Sequence, residues 1–295
     1  MTAQNMKKIR IITGPTASGK TRRTIDLAKS INGEIINCDS LQVYKDLKIL
    51  TSFPTSDEMA EVKHKLFGYL EYYQKTSAVE WSKLAAIEIE KTSNSGKVPI
   101  IVGGTGLYIK TLIDGISPIP EVSQENRQRT NELASRDFEQ LCEILYKLDP
   151  ELIKSLPKSK HHQLIRAYEI FLETGKSIRH FWDLPTQKFI DEAEFEIELV
   201  NCDRAELYNR IEKRFDEMLQ NGAIDEVSAL LGKIDNPNHE EIFQNYPIFK
   251  AIGAKEIALY LDGFYSFEQM RELSIKNSKH YAKRQITWFR HQIDI

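Results

Sequence analysis

Eight consecutive residues, Gly14, Pro15, Thr16, Ala17, Ser18, Gly19, Lys20 and Thr21, satisfy the pattern G-x-x-x-x-G-K-[ST] between a β-branched run, Ile9 to Thr13, and a helical one, Lys20 to Ser30. In that setting the backbone N–H groups of the loop and of the helix start point at one place. The helix dipole favours negative charge there, and Lys20 adds a full positive charge. A di- or triphosphate belongs in such a nest, with the Thr21 hydroxyl placed for a magnesium ion (Mg2+) that bridges phosphate oxygens. The loop alone names no reaction, so function has to come from other residues. The simplest ATP-dependent enzymes end an apolar strand on an acidic Mg2+ partner. Here the apolar run Val98 to Val102 ends in Gly103-Gly104-Thr105-Gly106, and the acidic strand end is Asp39, after Glu34 to Cys38.

The elements that must position these residues alternate strand with helix: Ile9 to Thr13, Lys20 to Ser30, Glu34 to Cys38, Ala78 to Lys91 and Val98 to Val102. That order predicts an α/β fold with a parallel sheet covered by helices on both faces, and a ligand beyond the carboxyl ends of its strands. From about Ile116 to Thr186 prolines punctuate helical stretches such as Gln124 to Ala134 and His162 to Thr174, with no convincing strand. A strand pattern returns at Phe195 to Val200, followed by long helices over Arg204 to Gln220 and Arg271 to Arg290. The expected organisation is a catalytic core of residues 1–116 plus 190–295 interrupted by a helical insertion over 117–189.

With 295 residues and 41% hydrophobic content, the chain is long enough for one large or two modest domains. A net charge of −3 excludes a protein coated in positive charge, so contact with nucleic acid must use local patches. Cys38, Cys142 and Cys202 have neither disulfide nor zinc spacing and read as free thiols in a reducing compartment. The apolar run that stops at Gly14 is too short for a signal-peptide core, and no stretch approaches a membrane span. A cytoplasmic protein with no membrane contact is expected, working as a monomer.

Together the loop Gly14 to Thr21, Asp39-Ser40-Leu41-Gln42-Val43-Tyr44 and Gly103-Gly104-Thr105-Gly106-Leu107-Tyr108 resemble the tRNA dimethylallyltransferase family. Tyr208 to Arg214, Gly222 to Val227, Ala251 to Glu256 and Tyr281 to Arg290 agree with later blocks of that family, in order. The resemblance implies a P-loop NTPase-like core and transfer of a dimethylallyl group from dimethylallyl diphosphate to N6 of adenosine 37. The acceptor would lie in the A36-A37-A38 run of the anticodon stem-loop of a tRNA that reads UNN codons. It makes Lys20, Asp39 and Thr105 the catalytic candidates and gives Mg2+ to the loop. Asp39 suits a base for the N6 proton, with a Mg2+ ligand as the alternative. Thr105 resembles the family residue that orients the adenosine; a tight turn opening a helix is the alternative. Ser40, Leu41 and Gln42 would hold neighbouring nucleotides.

Arg210 and Arg214 lie four apart, on one helical face, and could clamp diphosphate or form a salt-bridged face. For tRNA, Gln163-Leu164-Ile165-Arg166-Ala167 matches a family block, with Arg127 a further candidate; a salt bridge is the alternative for Arg166. Lys283 and Arg284, with Lys279, Arg290, Tyr281, Trp288 and Phe289, make a basic and aromatic helix suited to backbone contact and stacking, or else an amphipathic helix on the core. His161 and His162 read as surface histidines. The chain departs from the family at Thr51-Ser52-Phe53-Pro54, where Gly-Thr-Ala-Lys-Pro is usual, at Ser278-Lys279 for a Thr-Arg pair, and at Ala254 for Tyr. The rival readings are an ATP-dependent small-molecule kinase and a tRNA-binding protein without catalysis.

Overall fold

A computed structural model describes residues 6–235 and 238–292 of the chain. Its sheet has five strands: β1 (Lys7–Thr13), β2 (Gly33–Asn37), β3 (His64–Lys65), β4 (Val98–Gly103) and β5 (Ala193–Leu199). Their order is β3-β2-β4-β1-β5, every pair parallel. All carboxyl ends therefore share one edge of the sheet, which places the loops after β1, β2 and β4 side by side.

The strand interior alternates between two cores, as a period of two requires. Ile12, Ile35 and Ile100 pack with Ile25 and Ala28 of α1 (Lys20–Ser30). Their neighbours Ile11, Ile36 and Ile101 pack into a larger core with Trp81, Ala85 and Ile89. Such strands, buried on both faces, read as continuous apolar runs. Around that sheet stand α2 (Ser56–Glu61), α3 (Ala78–Asn94), α4 (Gly106–Asp114) and, after β5, α10 (Arg204–Gln220), α11 (Ala223–Leu231), α12 (His239–Asn245), α13 (Ala254–Leu261) and α14 (Phe267–Gln292). Trp81, fully buried on α3, donates its indole N–H to the Asn37 carbonyl (2.9 Å) and stacks on Tyr108 at 4.8 Å. The end of β2 is thereby anchored just before Asp39.

Several short elements, α2 and β3 among them, were absent from the sequence pattern. Both α2 and β3 have too few residues for periodicity to register, and α2 is set instead by a capping box of Thr55 and Glu58. The last helix begins at Phe267, a turn before the expected Arg271, because Ser266 and Gln269 cap each other reciprocally.

Residues Asp114–Lys188 form a second compact unit, and the segments on either side of it form the first. The second contains α5 (Gln124–Arg136), α6 (Phe138–Leu148), α7 (Pro150–Ser155), α8 (His161–Thr174) and α9 (Ile178–Trp182) around its own core of Leu141, Leu145, Leu152, Leu164 and Ile170. Among the described residues no helix is long and apolar enough to cross a membrane.

Candidate active site

The turn after β1 carries the phosphate loop into α1, whose cap Gly19 takes a left-handed φ of 91°. No acidic residue occupies the first turn of α1, so its N-terminal dipole is uncompensated by the helix itself. Lys20 folds back over the loop, its ammonium donating to the carbonyls of Gly14 (2.9 Å) and Pro15 (2.7 Å). Burial lowers its pKa to about 8, against the opposing pull of Asp39. The buried hydroxyl of Ser18 has no protein partner.

A cleft of about 1020 Å³ opens over this loop, lined by Thr16 to Thr21, Asp39, Gln42, Arg210, Arg214 and Tyr281 among others. Asp39 is held by its own turn. Its Oδ1 accepts from the Leu41 N–H (2.9 Å), and its N–H donates to Asn37 Oδ1 (2.9 Å). From α10, Arg214 donates to the Thr16 hydroxyl (2.5 Å), and burial lowers its guanidinium pKa to about 10 while Asp39 raises it. Arg210 lines the cleft beside Gly19 and is paired with Glu206 on its own helix. Two cationic groups, Lys20 from α1 and Arg214 from α10, thus face the carboxylate of Asp39.

Thr105, on the loop after β4, lies beside Ser40, the residue that follows Asp39. Its hydroxyl accepts from the Ser40 N–H (3.0 Å) and reaches the Ser40 hydroxyl at 3.3 Å, while its own N–H donates to the Cys38 carbonyl (3.3 Å). Gln42 is committed to protein: its amide donates to the carbonyls of Thr51 and Ser52, both at 2.9 Å. Leu41 is half-buried against the core. The segment with the departure from the family pattern is therefore a built wall of the cleft. The Glu226 carboxylate accepts from the N–H groups of Ile49 (3.0 Å) and Leu50 (3.2 Å) to fix its other end. Lys48 also lines the cleft, with its ammonium 5.2 Å above the Phe53 ring. Ala254 is fully buried in the core, and Lys279 pairs with Glu212 at 3.3 Å.

Two residues of α14 reach this cleft: Tyr281, one of the aromatics named from the sequence, and Gln285, for which the sequence suggested no role. Tyr281 of α14 lines the cleft, and burial and the Asp39 charge push its phenol upward. Gln285, one turn on, accepts from the Thr16 N–H (2.8 Å) and donates to the Gly104 carbonyl (2.9 Å). Lys283 and Arg284 lie exposed on the same helix. Of its aromatic residues Phe289 is fully buried and Trp288 packs against the core, as the alternative of an amphipathic helix on the core requires, while Tyr281 faces the cleft. A Cβ at Gly106 would meet the Trp288 ring at 2.2 Å, so the glycine lets the helix approach.

In the second unit, Gln163 is exposed on α8, Ile165 is half-buried, and Arg166 pairs with Glu169 at 2.8 Å. The side chains of Leu164 and Ala167 fill that unit's core, because residues three apart share the buried face of the helix. Arg127 is exposed on α5, and His161 stacks on Phe138 at 4.0 Å.

A profile of the IPP transferase family matches residues 42–292. The chain is 41% identical over 288 residues to the tRNA dimethylallyltransferase of Rickettsia bellii, covering 97% of this chain and 89% of that one. The Rickettsia felis tRNA dimethylallyltransferase is 40% identical over 289 residues, covering 98% and 91%. Among solved structures, a eukaryotic dimethylallyltransferase acting on tRNA superimposes with a TM-score of 0.83 at 27% identity, over 96% of this chain and 70% of that one. The tRNA isopentenylpyrophosphate transferase of Bacillus halodurans gives 0.67 at 31% identity, covering 97% and 87%. A phosphate loop facing a strand-end carboxylate across a cationic cleft, on a sheet shared with these proteins, thus has its explanation in descent: the chain belongs to the tRNA dimethylallyltransferase (IPP transferase) family.

Proposed function

We propose that this chain transfers the dimethylallyl group of dimethylallyl diphosphate to N6 of adenosine 37 in tRNAs that read UNN codons, giving N6-dimethylallyladenosine and diphosphate. The observation that carries the reading is the placement of Asp39 in one cleft with Lys20, Arg214 and the phosphate loop. Adenine N6 is a weak nucleophile because its lone pair is delocalised into the ring. Transfer therefore needs a base for its proton and an easily departing group. The C1–O bond of the donor breaks as the C1–N6 bond forms, the N6 proton passes to the Asp39 carboxylate, and diphosphate leaves with the electron pair. Lys20, Arg214 and the loop N–H groups neutralise the charge that grows on it, a stabilisation of several kcal/mol in a water-poor site.

Among the described residues no group of three or more His, Cys, Asp or Glu side chains could cage a metal ion. What the cleft offers is the Thr21 hydroxyl and the Asp39 carboxylate beside the phosphate loop. Such a sparse donor set fits Mg2+ held mainly by phosphate oxygens and water. Mg2+ there would supply further charge neutralisation to the leaving diphosphate. An acceptor in an unpaired loop costs less to extrude into the cleft than one in a duplex. Thr105 and Ser40 would orient it, and Gln163, Arg166, Arg127, Lys283 and Arg284 would hold the stem-loop. The enzyme acts in the cytoplasm as a monomer.

The test is incubation of the protein with Mg2+, dimethylallyl diphosphate and an unmodified tRNA bearing A36-A37-A38, read by nucleoside mass spectrometry. A dimethylallyl mass increase on adenosine 37 is expected. An unmodified adenosine 37 despite tRNA binding would refute the reading, and phosphate transfer from ATP without RNA would favour a kinase.

A further inference from the structure

The two loops that must meet at the reacting atoms are joined by one buried side chain from the far end of the sequence. Gln285 is 6% exposed. Its Oε1 accepts from the Thr16 N–H of the phosphate loop and its Nε2 donates to the Gly104 carbonyl of the loop after β4. Gly104 precedes Thr105, whose hydroxyl accepts from the Ser40 N–H, and Ser40 follows Asp39. A continuous hydrogen-bonded path therefore runs from the donor loop through Gln285 to the carboxylate-bearing loop.

The Gln285 amide carries a donor and an acceptor on one planar group and so satisfies both backbone partners at once. A carboxylate would turn an oxygen toward the Gly104 carbonyl, and an apolar chain would leave both backbone groups unpaired. The glycine fits the same account, since a Cβ at Gly104 would lie 2.2 Å from Gln285 Nε2 and 3.5 Å from the Gly14 carbonyl oxygen. Thr13 ties the strand ends below by donating to the Gly103 carbonyl at 2.9 Å, so the sheet holds together without Gln285.

We propose that Gln285 is a positioning residue for the transfer: it fixes the spacing between the phosphate loop and the Asp39–Thr105 loops, and so aligns donor C1 with the acceptor amine. The inference rests on the proposed transfer but has a readout independent of it. Misplacement of reacting groups by about 1 Å costs on the order of 100-fold in rate while leaving each substrate's own contacts in place.

Gln285→Ala and Gly104→Ala should each lower the single-turnover rate at saturating donor and tRNA by about 100-fold, with the affinity for each substrate within about 3-fold of the parent. The double variant, with no amide left to displace, should be no slower than the slower single one. Independently of turnover, Gln285→Ala should speed hydrogen exchange in the peptides carrying Thr16 and Thr105. Gln285→Glu keeps the acceptor for Thr16 and loses the donor for Gly104, so it should speed exchange chiefly in the Thr105 peptide. Unchanged single-turnover rates, multiplying effects in the double variant, or unaltered exchange at both peptides would each overturn the proposal. If the parent enzyme forms no product the proposed function fails, and the exchange pattern alone decides whether Gln285 couples the loops.

Discussion

Asp39 sits close enough to the cations of the cleft to raise the pKa of both Lys20 and Arg214, and its own turn fixes the carboxylate. Asp39→Ala should leave tRNA binding within a few fold while lowering single-turnover transfer by roughly 10²–10⁴, the scale of a lost general base; unchanged transfer would remove Asp39 from the mechanism. Lys20 titrates where it can be watched. With its pKa lowered to about 8 by burial, free protein above that pH holds it increasingly neutral, and a bound diphosphate favours the charged form. Diphosphate binding should then take up a proton above pH 8 and weaken as pH rises. Titration calorimetry at pH 8.5 in buffers of different ionisation enthalpy measures this, and buffer-independent heats would contradict it. The stability effect has the opposite sign: unfolded lysine binds more protons between about 8 and its usual 10.5, so burying Lys20 costs stability below pH 8 and the cost fades as pH rises. The P-loop and Asp39 were legible because their motifs are local in sequence. The role of Gln285 was not, since both its partners are main-chain groups, in the loops after β1 and β4.

At the level of elements, the parallel strands and long helices could be read from apolar runs and spacing, while the wall of the cleft between Leu47 and Pro54 could not. Leu47 and Ser52 adopt positive φ there, and the shape depends on Gln42 and Glu226 reaching in from elsewhere. A similar side-chain junction binds the opposite end of the sheet. Glu34 of β2, nearly buried, meets Lys65 of β3 and Lys97 before β4, both at 2.8 Å. Burial alone would raise its pKa, but the lysines outweigh it and hold the carboxyl down at about 2. This contribution is present above the unfolded value near 4.5 and is lost as pH falls from there toward 2. Glu34→Gln should lower stability at pH 7 by about 3 kcal/mol, as expected when one partner of a buried ion pair is removed. In urea melts at pH 7 and pH 3 the gap between parent and variant should narrow at the lower pH; a constant gap would mean the charge is not the cause.

Across the whole molecule, the sheet is assembled from both sides of the second unit. Strand β1 lies between β4, which precedes that unit in the chain, and β5, which follows it. The composition shift after Ile116 suggested an inserted segment, yet no local pattern could announce that β5 would complete the sheet beside the phosphate-loop strand. That order has a consequence for the protein as it is made. A ribosome adds roughly 5–20 residues per second, and all of Asp114–Lys188 emerges between β4 and β5. For seconds the nascent β1 presents an unpaired edge of backbone N–H and C=O groups, the kind of edge that pairs with foreign strands. The second unit has its own apolar core and can fold meanwhile. The first stays an open template until the ribosome has passed Leu199 and β5 can cover that edge.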